Sequence, residues 1–273
     1  MADVNVAGQL DEIEKRIMAG LKDFQRATVN RIDELYRAGQ MRVLVSDEVG
    51  LGKTLIARGT IAKLAKLQKE SGDKLVKVVY VCSNASIAEQ NLNKLRITSE
   101  LKTESTSSSR LSMQHLNIFR QENDTELLNR YIQLIPLTPD TSFRMTSGAG
   151  IVSERALMYA ILRRMPELSM YRKALEVAMA DKAVGQWDGW ARDWYETQVK
   201  ECDKTSGGKY LAYMLDKLSV ELNMRADEDN TVLDMIISMC KQIRSNRYKQ
   251  QNNNAVIGKL RVIFAKISLD KLE

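Results

Sequence analysis

Apolar residues recur at helical spacing from near the start of the chain. Leu10, Ile13, Ile17 and Leu21 share one stripe and predict an amphipathic helix over residues 6–22. Ile32, Leu35 and Tyr36 mark a second helix, and Gly39 follows where a C-terminal cap belongs. The period then changes. Arg42, Val43, Leu44, Val45 and Ser46 form a short run that predicts a buried parallel strand over 41–46. A glycine turn at 50–52 leads into a helix over 53–69. Residues 74–83 hold a second strand, Val-Lys-Val-Val-Tyr-Val-Cys, and 86–95 a helix with Asn84 or Ser86 as its N-cap. Strand, turn, helix, strand, helix is the rhythm of a parallel α/β sheet with crossover helices.

That rhythm fades downstream. Residues 103–109, Thr-Glu-Ser-Thr-Ser-Ser-Ser, predict a polar loop. Residues 132–138 predict a third strand, which Pro136 assigns to an edge or a strand end. Beyond Gly150 the pattern is helical over 152–165, 168–183, 187–200, 209–222, 231–249 and 255–269. Breaks are expected at Pro166, Gly185, Gly207-Gly208, 227–230 and 250–254. The expected organisation is N-terminal helices over 1–39, a partial α/β nucleotide domain over 40–149, and a mostly α-helical region over 150–273.

Composition narrows the class. With 44% hydrophobic and 28% charged residues the chain is globular rather than disordered. A net charge of +6, from 41 basic and 35 acidic side chains, suits a phosphate-rich partner only mildly. Cys82, Cys202 and Cys240 are odd in number and far apart, which argues against a disulfide framework or a zinc knuckle. One histidine, His115, leaves no material for a histidine-based metal site or a Ser-His-Asp triad. No apolar stretch reaches the ~20 residues of a membrane span and no signal peptide opens the chain, so a soluble cytoplasmic protein is expected.

The chemistry concentrates at Asp47-Glu48-Val49-Gly50-Leu51-Gly52-Lys53-Thr54. The general phosphate-loop pattern is G-x-x-x-x-G-K-[ST], and Gly52, Lys53 and Thr54 complete it, although Asp47 stands where it asks for glycine. Gly50 and Gly52 let the backbone wrap an anion, and a helix starting near Lys53 turns its positive end toward it. Lys53 suits the β- and γ-phosphates of ATP and the Thr54 hydroxyl suits Mg²⁺. The alternative is a plain glycine turn between strand and helix.

These eight residues resemble motif I of superfamily-two helicases and Swi/Snf-type translocases. Phe24-Gln25 upstream resembles the Q motif of that family, whose glutamine reads adenine. Residues 80–91 resemble motif Ia, which contacts the phosphate backbone of a bound strand; Ser83 and Asn84 are the residues concerned, and the alternative is a strand followed by a helix N-cap. Residues 138–143, beginning Thr138-Pro139, resemble the following nucleic-acid-contact motif. The resemblance spans about residues 20–143. It implies an incomplete RecA-like P-loop domain that binds ATP and Mg²⁺, with DNA or RNA as partner and further helicase domains supplied in cis or in trans.

An apolar strand ending in Asp-Glu, which such a motor needs to hold Mg²⁺ and polarise water, is missing. Residues 43–48 are already spent on motif I, and Asp227-Glu228-Asp229 follows a helical stretch. The expectation is therefore the N-terminal portion of a larger ATPase, cut before that strand and not a complete motor, with the helical region as an insertion. Trp187, Trp190 and Trp194 fall on one helical face, as a core or docking stripe or a base-stacking platform. Arg192 and Lys200 lie near that stripe and belong to the platform reading, whereas Arg163, Arg164, Arg244, Arg247 and Lys249 are read as helix-dipole partners and solvated charges or as phosphate contacts. Cys82 is expected to be a buried inert thiol, and His115 a surface or packing residue. The competing functions are a non-catalytic protein- or nucleic-acid-binding module and, last, a small-molecule P-loop kinase.

Overall fold

The stripe of Leu10, Ile13 and Ile17 becomes the buried face of α1 (Ala2–Ala19), in one core cluster with Ala62, Ala65 and Leu92. The computed structural model describes residues 2–99, 101, 110–142, 150–245 and 250–272. The chain divides into two compact units, 1–109 with 124–141 and 110–123 with 142–273.

In the first unit α1 is followed by α2 (Asp23–Arg37) and α3 (Lys53–Glu70). Gly39 ends α2 as expected, at φ 87°, with its N–H on the Tyr36 carbonyl. Ion pairs hold α1 and α2 to α3: Lys66 meets Asp11 at 2.7 Å and Glu14 at 3.2 Å, and Lys63 meets Glu14 at 3.4 Å and Asp33 at 3.5 Å. Two strands, β1 (Val76–Val81) and β2 (Ile132–Leu137), pair in parallel from Val76↔Ile132 to Val81↔Leu137. α4 (Ala85–Leu95) follows β1, and Asn84 caps it by accepting from the N–H groups of Ser86 and Ile87. The core here comprises Leu10, Ala62, Ala65, Leu92, Ile97 and Leu134 among others. Tyr131 donates its hydroxyl to the Ala65 carbonyl at 2.9 Å, and burial raises its pKa to about 12.

The strand expected over 41–46 is corrected. The segment enters no ladder, and Leu44 is 89% exposed. Val43 and Val45 still alternate inward, onto Leu21, Val29, Ile32 and Ile56. The helices cover one side of this run, but no neighbouring strand supplies hydrogen-bond partners among the described residues, so the pattern is β-like and the ladder absent. Cys82 also differs from expectation. It lies just past β1, half-buried, its thiol 3.6 Å from the Asn84 carbonyl.

The second unit begins with α5 (Leu111–Glu122), which lies in sequence before α6 (Leu127–Tyr131) of the first unit. Almost every residue of α5 is buried, so it has no amphipathic stripe and the sequence pattern did not reveal it. A short turn of helix, α7 (Pro139–Ser142), precedes α8 (Val152–Leu162), a 3₁₀ segment (Pro166–Tyr171), α9 (Arg172–Ala180), α10 (Val184–Gln186), a π-helical turn (Trp187–Ala191), α11 (Arg192–Thr205), α12 (Lys209–Leu222), α13 (Val232–Arg244) and α14 (Gln250–Leu272). Gly185 and residues 250–254, expected as breaks, are helical. Asn253 is buried and donates to the Ala178 carbonyl at 2.8 Å, so a tertiary bond outweighs the poor helix propensity of an asparagine run. Buried Trp187, Tyr210, Phe264 and His115 build the core, with the Tyr210 hydroxyl 3.1 Å from His115 Nδ1.

The loop expected over 103–109, and Phe143, Arg247 and Lys249, lie outside the described residues. No helix among the described residues is long and apolar enough to cross a membrane.

Candidate functional site

The loop between residue 46 and α3 makes its turn with two left-handed glycines, Gly50 at φ 91° and Gly52 at φ 83°. A side chain at Gly52 has no room: its Cβ falls 2.6 Å from Gln25 Nε2 and 3.5 Å from Leu55 Cδ1. Leu51, between the glycines, is exposed, and its carbonyl accepts from Gln25 Nε2 at 2.9 Å. Gly52 is the N-cap of α3 and no side chain caps that helix, so its leading amides remain available to an anion.

Lys53 turns back onto its own loop. Its ammonium donates to the Asp47 carbonyl and, at 2.8 Å, to the Glu48 carbonyl. The lysine thus closes the turn from the inside. Thr54, half-buried, and Lys53 stand at one end of a cavity of about 450 Å³. The rest of its lining is mostly apolar and includes Val43, Val45, Ile56, Val78 and Val79. Asp47, the departure from the general loop pattern, keeps Oδ2 buried and without a hydrogen-bond partner.

Phe24 and Gln25 take different environments. Phe24 is 43% exposed on α2, whereas Gln25 is 4% exposed. Gln25 Oε1 accepts from the Lys22 N–H at 3.1 Å, capping α2, while Nε2 holds Leu51. Each amide atom therefore retains one hydrogen-bonding valence for another group. Nothing in the local sequence signals the Gln25–Leu51 bond, which joins residues 26 apart.

The parallel register brings the two candidate strand-contact segments together. Cys82 N–H donates to the Leu137 carbonyl at 3.1 Å, so Ser83-Asn84 and Thr138-Pro139 lie side by side at the carboxyl ends of β1 and β2. Ser83, Asn84 and Pro139 are exposed, whereas Thr138 is buried. Asn84 Oδ1 is occupied with its capping bonds.

The basic and aromatic candidates beyond Gly150 behave as structural residues. Trp187 is buried edge-on to Tyr159, while Trp190 and Trp194 are exposed. The π-helical turn shifts the helical phase, so the three do not make one platform. Arg164 meets Glu196 at 2.7 Å, with Arg163 and Lys200 around the same carboxylate. Arg192 is held by Glu176, Asp188 and Asp193, and Arg244 lies over the Tyr171 ring. No group of three or more metal-ligating side chains occurs among the described residues.

A glycine turn ending on a lysine at a helix start, followed by a helix and a parallel strand, lies within residues 19–135, which are similar to a superfamily-two helicase-like N-terminal domain. The same residues match the ResIII family, described as type III restriction enzyme, res subunit. No curated protein and no solved structure matches the chain.

Proposed function

We propose that the first unit is the ATP-binding part of an incomplete RecA-like P-loop domain, in a motor that couples ATP hydrolysis to movement on DNA or RNA. The observation that carries this reading is the pair of left-handed glycines delivering Lys53 to the uncapped start of α3. On binding Mg-ATP, Lys53 exchanges the Asp47 and Glu48 carbonyls for β- and γ-phosphate oxygens, the amides near Gly50, Leu51 and Gly52 cradle the phosphates, and Thr54 supplies its hydroxyl to Mg²⁺. Adenine lies against Phe24 and the remaining valences of Gln25. Ser83, Asn84, Thr138 and Pro139 supply strand contacts that position a backbone without reading sequence.

Hydrolysis requires acidic residues beyond those at this site. The unpaired edge of β1, the ladder-less run 41–46 and the apolar cavity between them support completion of the sheet by further strands, from other domains in cis or in trans. The isolated chain accordingly binds nucleotide with negligible turnover.

The test is Mg-ATP titration by calorimetry for the wild type and Lys53→Ala, with phosphate release measured alongside. Affinity is expected to fall at least tenfold in Lys53→Ala, about 1.4 kcal/mol or more, as for loss of a charge-assisted bond. Robust turnover that survives the substitution sinks the proposal. Absence of ATP affinity, with partner binding through the helical unit unchanged by nucleotide, favours the alternative of a non-catalytic binding module.

A further inference from the structure

On the side of α3 away from Lys53, α1 and α3 bring two guanidinium groups to one cavity of about 200 Å³. Its lining is Arg16, Ile17, Gly20, Leu21, Leu55 and Arg58. On α3, Leu55 and Arg58 line this cavity, whereas Lys53, Thr54, Ala57 and Ile61 line the larger one, and no residue lines both. The two cavities are therefore separate sites on one helix.

The arginines stand out because their neighbours are neutralised. Asp11 and Glu14 of α1 are committed to Lys66 and Lys63 of α3. No carboxylate lines the smaller cavity, and neither Arg16 nor Arg58 has an ion-pair partner among the described residues. Glu12, one turn before Arg16, lines a neighbouring cavity with Gln9 and Thr98 that Arg16 also borders, but it does not enter the smaller cavity. Arg58 is half-buried, and its Nε is shielded from solvent without any hydrogen-bond partner. Burial first, and the Arg16 charge second, push the Arg58 pKa down.

Two like charges brought together against Ile17, Leu21 and Leu55 cost free energy that a counter-charge recovers. The side chains offer donors and no acceptor, in the planar fork that suits phosphate oxygens. The cavity takes a phosphate group with a few waters, whereas a mid-strand phosphodiester needs a continuous groove on both sides.

We propose that Arg16 and Arg58 form a binding site for a terminal phosphate group, either free phosphate or the 5′-phosphate end of a nucleic-acid strand. The site is independent of the nucleotide loop and does not rest on the function proposed for it.

The experiment uses the full chain carrying Lys53→Ala, so that the glycine loop does not contribute. Inorganic phosphate is titrated while the arginine side-chain N–H resonances are followed by NMR, in this background and with Arg16→Gln, Arg58→Gln or both added. The expected result is a saturable shift of the Arg58 Nε–H signal, weakened tenfold or more in the double variant. The thermal midpoint of the double variant without phosphate should be unchanged or higher, because a like-charge contact is gone. A parallel titration with a thymidine oligonucleotide, with and without a 5′-phosphate, separates the two sources. Tighter binding of the phosphorylated oligonucleotide than of inorganic phosphate assigns the strand end, and the reverse order assigns free phosphate. Phosphate shifts that are absent, or that persist undiminished in the double variant, overturn the proposal, as does equal binding of the two oligonucleotides with no response to inorganic phosphate.

Discussion

Gln25 Nε2 donates to the Leu51 carbonyl at 2.9 Å, so the first turn of α2 holds the middle of the glycine loop in place. The same side chain caps α2 through the Lys22 N–H at 3.1 Å. One buried amide thus fixes a helix start and a loop together. Gln25→Ala removes both bonds and should lower stability by about 1–2 kcal/mol. It should also loosen the loop and weaken Mg-ATP binding. Gln25→Glu keeps the acceptor for Lys22 but sets a carboxylate against the Leu51 carbonyl, and should be at least as damaging. Urea denaturation and nucleotide titration read both effects; unchanged values in Gln25→Ala would show the bracket to be idle.

The loop glycines should differ in cost. Gly50 and Gly52 both have positive φ, so alanine at either is strained by about 1–2 kcal/mol. At Gly50 a Cβ meets nothing within 4 Å, whereas at Gly52 it falls 2.6 Å from Gln25 Nε2. That nitrogen ends a flexible side chain, but it is buried and moving it breaks the bond to Leu51. Gly52→Ala should therefore destabilise more than Gly50→Ala. Part of the excess should vanish in the Gln25→Ala background, a coupling that a double-mutant cycle measures. Strictly additive effects would refute the steric argument.

His115 makes the second unit sensitive to acid. Burial lowers its pKa from 6.5 to about 3. Between these values the unfolded chain binds a proton that the folded chain does not, so folding stability falls as pH drops below 6.5 and is unaffected by this group above it. The full slope is about 1.4 kcal/mol per pH unit. Denaturation curves between pH 6.5 and 5, where most carboxylates remain ionised, should show it in the wild type and not in His115→Gln. Equal slopes in the two proteins would exclude His115 as the cause.

Glu154 and Arg261, both almost fully buried, form an ion pair at 2.9 Å, and Ser112 also donates to Glu154. Arg261→Met leaves the carboxylate without its closest counter-charge and should cost about 3–5 kcal/mol. Adding Glu154→Gln should recover part of that loss. Thermal unfolding of the two variants checks this, and a double variant less stable than the single one would contradict it.

Much of the first unit was legible from spacing and turn chemistry. Gly39, Asn84 and the start of α3 at Lys53 follow from local backbone preferences, which neighbours in sequence determine. The run at 41–46 was legible only as a pattern: Val43 and Val45 point inward, yet the ladder depends on partners that no local signal supplies. α5 escaped notice because burial on nearly all sides erases the stripe by which a helix is recognised.

By itself, the sequence determined the glycine turn, the lysine at the helix start and the helical character beyond Gly150, because φ preferences, caps and periodicity act over a few residues. Tertiary structure alone decided that Gln25 brackets Leu51, that Ser83-Asn84 lies beside Thr138-Pro139, and that Arg16 meets Arg58 without an acid between them. It also divided the tryptophan stripe, burying Trp187 while Trp190 and Trp194 stayed exposed. Each of these depends on which surfaces the chain covers when distant segments pack, and burial and long-range hydrogen bonding have no counterpart in local spacing.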